Sequence, residues 1–271
     1  MTNSQIHPTA LVEEGASIGA QVNVGAYAII ENGARIGDAC HIHSHAVIKK
    51  YAVLGRGVEV GHFAVVGGDP QHLGFDRSIS SSVVLEDDVR LGEGVTIHRS
   101  IEKGGETRVG KNCFLMGYSH IAHDCLLGER VVLANGALLG GHVSVAKDVF
   151  MGGGAAVHQF VRIGEGAMIG GLSEISLDIP PQVLVSGRNL ISGLNLIGMK
   201  RRKIPQSAVS EIKNCFREVM EHGNLKKIAK EILNRKPTPS GDVTLDFLNF
   251  FLTGKRGFAR IAKNKSSQVD G

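Results

Sequence analysis

The sequence predicts a mainly β chain wound into a parallel β-helix, with a helical domain after it, on three observations. Every sixth residue from Ile6 to Val66 is Ile, Val or Leu, and the beat returns at Leu85, Leu91 and Ile97. A second run from Val109 to Ile175 is again wholly apolar at every sixth position. After "DIPP" (178–181) the beat stops and helical spacing begins. A fixed short period is the mark of a solenoid, whose units bury a core only by stacking.

Each hexad reads as one short strand and one turn. Two residues before the aliphatic position the side chain is usually small (Ala10, Ala16, Ala28, Ala34), and glycine often follows it (Gly19, Gly25, Gly37, Gly55). Strand side chains alternate faces, so the aliphatic and the small residue share the interior and the residue between them points out. Three strands make a triangular coil of 18 residues, giving about nine coils over residues 1–180. Cys40, Cys113 and Cys125 occupy the small interior slot, so they read as wall, and all four cysteines as reduced thiols.

Two interruptions leave the coil as loops, 67–83 ("GGDPQHLGFDRSISSSV") and 100–108 ("SIEKGGETR"). Solenoid insertions exit at the surface and commonly border binding sites. The first is the candidate lid or substrate loop. Beyond residue 180, 181–204 reads as a connecting segment and 205–271 as the helical domain. There "SAVSEIKNCFREVMEH" carries Val209, Ile212, Phe216 and Met220 on one helix face, with Gly223 as a C-cap, and "NLKKIAKEILNR" and "TLDFLNFFLTG" read as two more helices around the breaker "KPTPSG". The last dozen residues read as frayed.

Composition narrows the function. The 271 residues hold 36 glycines and no tryptophan, which suits a repetitive coil better than an aromatic core. No leader-like N-terminus and no run of about 18 apolar residues occurs, so a soluble, cytoplasmic protein without an integral membrane segment is expected. Residues 200–271 carry 16 Lys and Arg against 7 Asp and Glu, a net of +9, while residues 1–199 carry 14 against 19, a net of −5. Without interleaved aromatics to stack bases, such a tail suits a phosphate-bearing ligand or an acidic protein rather than nucleic acid.

The coil length also aligns histidines. His123 plus 18 is Gly141, beside His142, and 18 more is Gln159, beside His158, so these residues stack along one edge at the roughly 4.8 Å spacing of paired strands. His120, in "SHIAHDC", points outward next to them. The residues allow three readings: a metal site, a general base with companions that bind substrate, or a solvated edge. His41, His43 and His45 read as an exposed ladder.

Further motifs add a resemblance. "SHIAHDC" (119–125), "GGHVSV" (140–145), "AAVHQF" (155–160), "DIPP" and "GLNLIGMKRR" (193–202), in this order, closely resemble the UDP-N-acetylglucosamine acyltransferases that begin lipid A synthesis, and "VEEGASIG" and "VTIHRS" extend the match over nearly the whole chain. The resemblance implies a left-handed coil, a homotrimer with its site between chains, and a 3-hydroxyacyl donor carried on the phosphopantetheine of acyl carrier protein, with no bound cofactor and no metal. It makes His123 the general base, Asp124 its orienting carboxylate and the Gly141 N–H the oxyanion donor. His120, His142, His158 and Gln159 take substrate-contacting positions, Asn195, Arg201 and Arg202 nucleotide and diphosphate positions, and Gly171 the place where the acyl chain is measured.

The chain departs from the family in three places. Members usually have Asp after Pro-Gln in the first loop and Lys two residues later; here His72 and Gly74 stand there, and Ile197 replaces a usual Glu. That change in polar pattern raises an alternative acceptor, the UDP-sugar with an amine at its 3-position, with His72 accepting a hydrogen bond from it. A carbonic-anhydrase-type metalloenzyme is the more distant alternative. The N-acyltransferase of the same pathway is disfavoured because no uridine-binding domain precedes the first hexad.

Overall fold

The computed structural model describes residues 4–221, 223–235 and 241–261. Strands two to five residues long form three flat faces, of twelve, nine and eight strands, and the chain passes through the faces in turn. Pairing within the coil is parallel and steps mostly by 18 residues: His120 lies on Leu138 and Leu138 on Ala156. Where a loop is inserted the step lengthens and the register survives, so Val65 pairs with Thr96 and Thr96 with His120.

The interior is the predicted one. Ile30, Ile42, Ile48, Ile97, Leu115, Ile121 and Leu133 are fully buried, as are the small-slot residues Ala28, Ala46, Cys113 and Cys125. Burial pushes the Cys113 and Cys125 thiols up to about 12, so both remain protonated filler at neutral pH. Stacking satisfies the backbone too: the Gly25 N–H donates to the Ile42 carbonyl at 2.7 Å, and that of Gly128 to Val145 at 2.8 Å.

Both loops leave from the same edge, between the second and third faces. They are shorter than the sequence indicates, because Val65–Gly68, Ser82–Leu85 and Glu106–Val109 are already strands; the buried side chains of Val83 and Thr107 fill interior slots there. Arg99 pins the first loop. Only 5% exposed, it donates to Asp69 at 3.0 Å, to the carbonyls of Ile79 and Arg77 at 2.6 and 3.1 Å, and to Ser81 Oγ at 3.2 Å. A buried guanidinium that loses its partners is costly, so the loop holds one shape.

The coil runs past the expected stop at residue 180. Val183–Ser186 adds a parallel rung to the first face, and Leu190–Leu194 returns antiparallel to it. The segment then forms helix α1 (Leu196–Arg201), followed by α2 (Gln206–Glu221), α3 (Leu225–Leu233) and α4 (Asp242–Phe250). The three longer helices close on Phe247, Leu248, Phe251, Ile212 and Ile232. Arg162 ties this bundle to the coil, bonding Asp178 at 2.8 Å and the Thr253 carbonyl at 2.9 Å. Arg260–Ile261, expected to fray, pairs with Leu190–Ile191 instead; residues 262–271 and most of "KPTPSG" lie outside the described residues. Among the described residues, no helix is long and apolar enough to cross a membrane.

Candidate active site

A cavity of about 470 Å³ opens on the second face beside the two loops. Its lining includes six of the predicted residues: His72, His120, His123, Gly141, His158 and Gln159. His123 sits on the turn after the strand His120–Ile121, and the next residue, Asp124, has φ 61°. That left-handed turn, tolerated by Asp better than by most residues, swings the carboxylate behind the imidazole. His123 Nδ1 and Asp124 Oδ2 are 2.8 Å apart, and both side chains are largely buried.

Asp124 is fixed from behind. Its Oδ1 accepts from Ser100 Oγ and its Oδ2 from the Ile101 N–H at 3.1 Å, while its own N–H donates to Thr107 Oγ1 at 2.7 Å. The second loop thus works as a clamp on the carboxylate. With Nδ1 engaged by Asp124, the Nε2 lone pair of His123 is left for the cavity, the tautomer that a general base requires.

Gly141 lies directly over the imidazole. A β-carbon built there would stand 2.5 Å from His123 Cε1 and 2.7 Å from Nε2. Among the described residues its N–H donates to no acceptor. A free amide beside the base, on a residue without a side chain, suits a donor to a developing oxyanion.

His142 neighbours the pair, its ring 5.1 Å from His123 and its Nε2 3.9 Å from Asp124 Oδ2. Its stacking partner on the next coil, 18 residues on, is Phe160, at 4.6 Å and 7°. The turn carries two columns, His123–Gly141–Gln159 and Asp124–His142–Phe160, and His158 belongs to the cavity wall, where Arg256 donates to its Nδ1 at 2.8 Å.

His72 also enters from the first loop, its ring 6.5 Å from that of His123. Its Nδ1 already accepts from the Gly74 N–H at 3.2 Å. The expectation that His72 accepts a hydrogen bond from the substrate is therefore corrected: the nitrogen left over is Nε2, which carries the proton and donates.

His98 and Arg256 were not singled out from the sequence. His98, in "VTIHRS", is 8% exposed, lines the cavity edge-on to His120 at 4.7 Å, and has no partner for Nδ1. Its outward pointing follows a β-bulge opposite Val66–Gly68, which no periodicity announces. Burial, then the charges that His120 and His123 would carry, push its pKa down to about 4, and burial also lowers that of His120. Unfolded, His98 binds a proton below about pH 6.5; folded, it resists until about pH 4. The unfolded state holds the extra proton in that window, so stability is expected to fall from pH 6.5 to 4 by on the order of 3 kcal/mol for this residue. Denaturant titrations across that range should show a shallower slope for His98→Gln, and equal slopes would refute the assignment.

Four predicted residues lie away from the cavity. Gly171 is on the edge between the first and second faces. Asn195 spends its amide as the N-cap of α1, accepting from the Gly198 N–H at 2.9 Å and donating to the Gly166 carbonyl at 3.0 Å. Arg202 lies half-buried on the edge between the third and first faces, donating to Gln182 and to the Asp148 carbonyl at 3.5 Å, and burial lowers its pKa. Arg201 is exposed beside it. One chain separates these arginines from His123 by a face of the prism.

Comparison with known proteins fits this geometry. Residues 178–259 match the family model described as Udp N-acetylglucosamine O-acyltransferase, Domain 2, and residues 106–141 that of the bacterial transferase hexapeptide (six repeats). The acyl-[acyl-carrier-protein]–UDP-N-acetylglucosamine O-acyltransferase of Campylobacter lari is 40% identical over 256 residues, 94% of this chain and 96% of that protein. The chain belongs to the UDP-N-acetylglucosamine acyltransferase family. The same-named enzyme of a Campylobacter jejuni strain is 44% identical over 93% of this chain and 95% of its own length. A solved UDP-N-acetylglucosamine acyltransferase from Campylobacter jejuni superimposes with a TM-score of 0.88 at 38% identity, covering 95% of this chain and all of that one. This acyltransferase is accordingly a left-handed parallel β-helix with a C-terminal helical domain.

Proposed function

We propose that this acyltransferase transfers a 3-hydroxyacyl chain from the phosphopantetheine thioester of acyl carrier protein to the 3-hydroxyl of UDP-N-acetylglucosamine, the step that begins lipid A synthesis, in the cytoplasm. The observation that carries the reading is His123, backed by a clamped Asp124 and facing a free Gly141 amide across one cavity. His123 Nε2 takes the hydroxyl proton as the oxygen attacks the thioester carbonyl; Asp124 stabilises the imidazolium. The oxyanion draws on the Gly141 N–H, and collapse expels the thiolate, which receives the proton from His123. The basic C-terminal region supports an acidic carrier protein as donor.

The outward rows support a trimer. The second face presents Leu11, Ile29, Val47, Val65, Leu138 and Ala156 beside Thr96 and His120, and the first, polar as far as Arg90, presents Phe114, Val132, Phe150, Met168 and Leu184 in its later coils, whereas the third interleaves Arg35, Arg108 and Arg162. Packing the two apolar faces of neighbouring prisms around a threefold axis puts their shared edge, with exposed Tyr27, Phe63, Tyr118 and Leu172, at the centre. The His123 edge of one copy then meets the Arg201–Arg202 edge of the next. Asp148, which Arg202 touches, lies on the coil of His142, so the heights agree. Arg201 there serves the diphosphate, with Asn195 and Arg202 holding that edge in shape.

From the cavity the acyl chain runs past Leu138 and Ala156 toward Gly171. Gly171→Met is expected to shorten the preferred donor, since each methylene without a place forfeits about 0.8 kcal/mol. Carrier-protein thioesters of graded length offered together would reveal it, and an unchanged preference would put the ruler elsewhere.

A second acceptor, the 3-amino analogue, is favoured by the imidazole-lined cavity. His98 and His120 have lowered pKa values, and His72 presents a donor, which the lone pair of a neutral amine can accept and an ammonium, having no lone pair, cannot. The deciding experiment offers purified protein both UDP-sugars in competition with a 3-hydroxyacyl carrier-protein donor and reads products by mass. Ester alone removes the amine reading, and no product from either sugar removes the acyl-transfer proposal.

A further inference from the structure

The acid–base pair is also a set of metal donors. Among the described residues, one group of three or more His, Cys, Asp or Glu side chains brings its ligand atoms within 4.8 Å of one another: His123, Asp124 and His142. The distances are 2.8 Å from His123 Nδ1 to Asp124 Oδ2 and 3.9 Å from that oxygen to His142 Nε2. Tetrahedral ligands on zinc, with bonds of about 2.1 Å, stand about 3.4 Å apart. Side-chain adjustments of about an ångström would seat the ion, leaving the fourth position to water.

The surroundings hold these donors in place without the ion. Ser100 Oγ anchors Asp124 Oδ1 and the Ile101 N–H its Oδ2, and Phe160 stacks on the His142 ring. Two imidazoles and one carboxylate suit zinc or cobalt, whereas magnesium prefers oxygen ligands alone.

We infer that His123, Asp124 and His142 form an inhibitory site for a zinc-like divalent cation, which switches off the catalytic base by taking its Nδ1 lone pair. The inference rests on the reading of His123 as the base. In the active tautomer Nδ1 carries the proton, shared with Asp124, and Nε2 is free. A cation bound to Nδ1 requires that proton to leave, and it moves to Nε2 of the same ring. The ring remains neutral, no proton is released, and no lone pair faces the acceptor hydroxyl. Removing the ion reverses each change.

The test uses the full chain, stripped with a chelator and free of nucleotide. Calorimetric titration with zinc chloride, and cobalt absorption spectra, are expected to give one ion per chain, with binding at least about tenfold weaker in His142→Ala and in Asp124→Asn. ¹⁵N spectra of the imidazoles should show the His123 proton move from Nδ1 to Nε2 on loading. Turnover should fall roughly 10²-fold or more and return with EDTA, while magnesium leaves it unchanged. Absence of binding, equal affinity in both variants, an unmoved proton, or a metal-loaded protein turning over at the metal-free rate would each overturn the site. Failure of the acyltransferase reading would look different: metal-free protein without turnover, but with the ion bound and the proton moved.

Discussion

His123→Ala is expected to lose roughly 10²- to 10⁴-fold in turnover while the coil stays folded. The imidazole lies on the turn, outside the core, and its loss leaves Asp124 still accepting from Ser100 Oγ and the Ile101 N–H, so no buried charge is orphaned. The rate falls because the imidazole beside the Gly141 amide, the one backed by Asp124, no longer takes the proton of the sugar hydroxyl. Asp124→Asn should cost less. Oδ2 accepts from both Ile101 and His123, so an asparagine can set its oxygen there and turn its amide toward Ser100, keeping the tautomer and losing only the charge. Steady-state rates on variants with unchanged circular dichroism decide it; a folded His123→Ala protein near the normal rate would remove His123 from the mechanism.

Gly141→Ala should produce the second large loss, on the order of 10²-fold in turnover, from the addition of one methyl group. The new carbon would occupy space 2.5 Å from His123 Cε1, so the imidazole must swing away. Swinging lengthens the Nδ1 contact with Asp124 and moves Nε2 off the attacking oxygen, and a displacement of about 1 Å is worth about that factor. The methyl also obstructs the thioester oxygen from the Gly141 N–H. Gly141 does not have a positive φ, so alanine fits its backbone and stability should hold. The measurement is turnover and KM for both substrates together with the melting temperature. An unaltered rate would show that the ring has room to spare.

The residues that repeat and the residues that do not tell different parts of this protein. Ile42, Ile121 and the interior cysteines were placed correctly by counting, because a strand of period two inside a hexad allows a side chain only one interior position. The same counting brought His123 to Gly141 and Gln159. One residue further on the same step carries His142 to Phe160, which stacks on it, while His158, beside Gln159, lines the cavity. Counting failed at residue 180, where Val183–Ser186 continues the first face without a hexad to mark it.

By itself the sequence determined the coil and its interior and brought His123, Gly141 and Gln159 onto one edge, all of which follow from spacing along the chain. Only the tertiary structure decided what fills the space above that edge. Ser100 and Ile101 clamp Asp124, Arg99 fixes the loop that presents His72, Gly74 settles which nitrogen His72 offers, and Arg256 arrives at His158 from 98 residues away. These contacts join segments with no shared period. Their geometry depends on where insertions fold back and which donors they meet, and a repeat carries information only about residues that obey it.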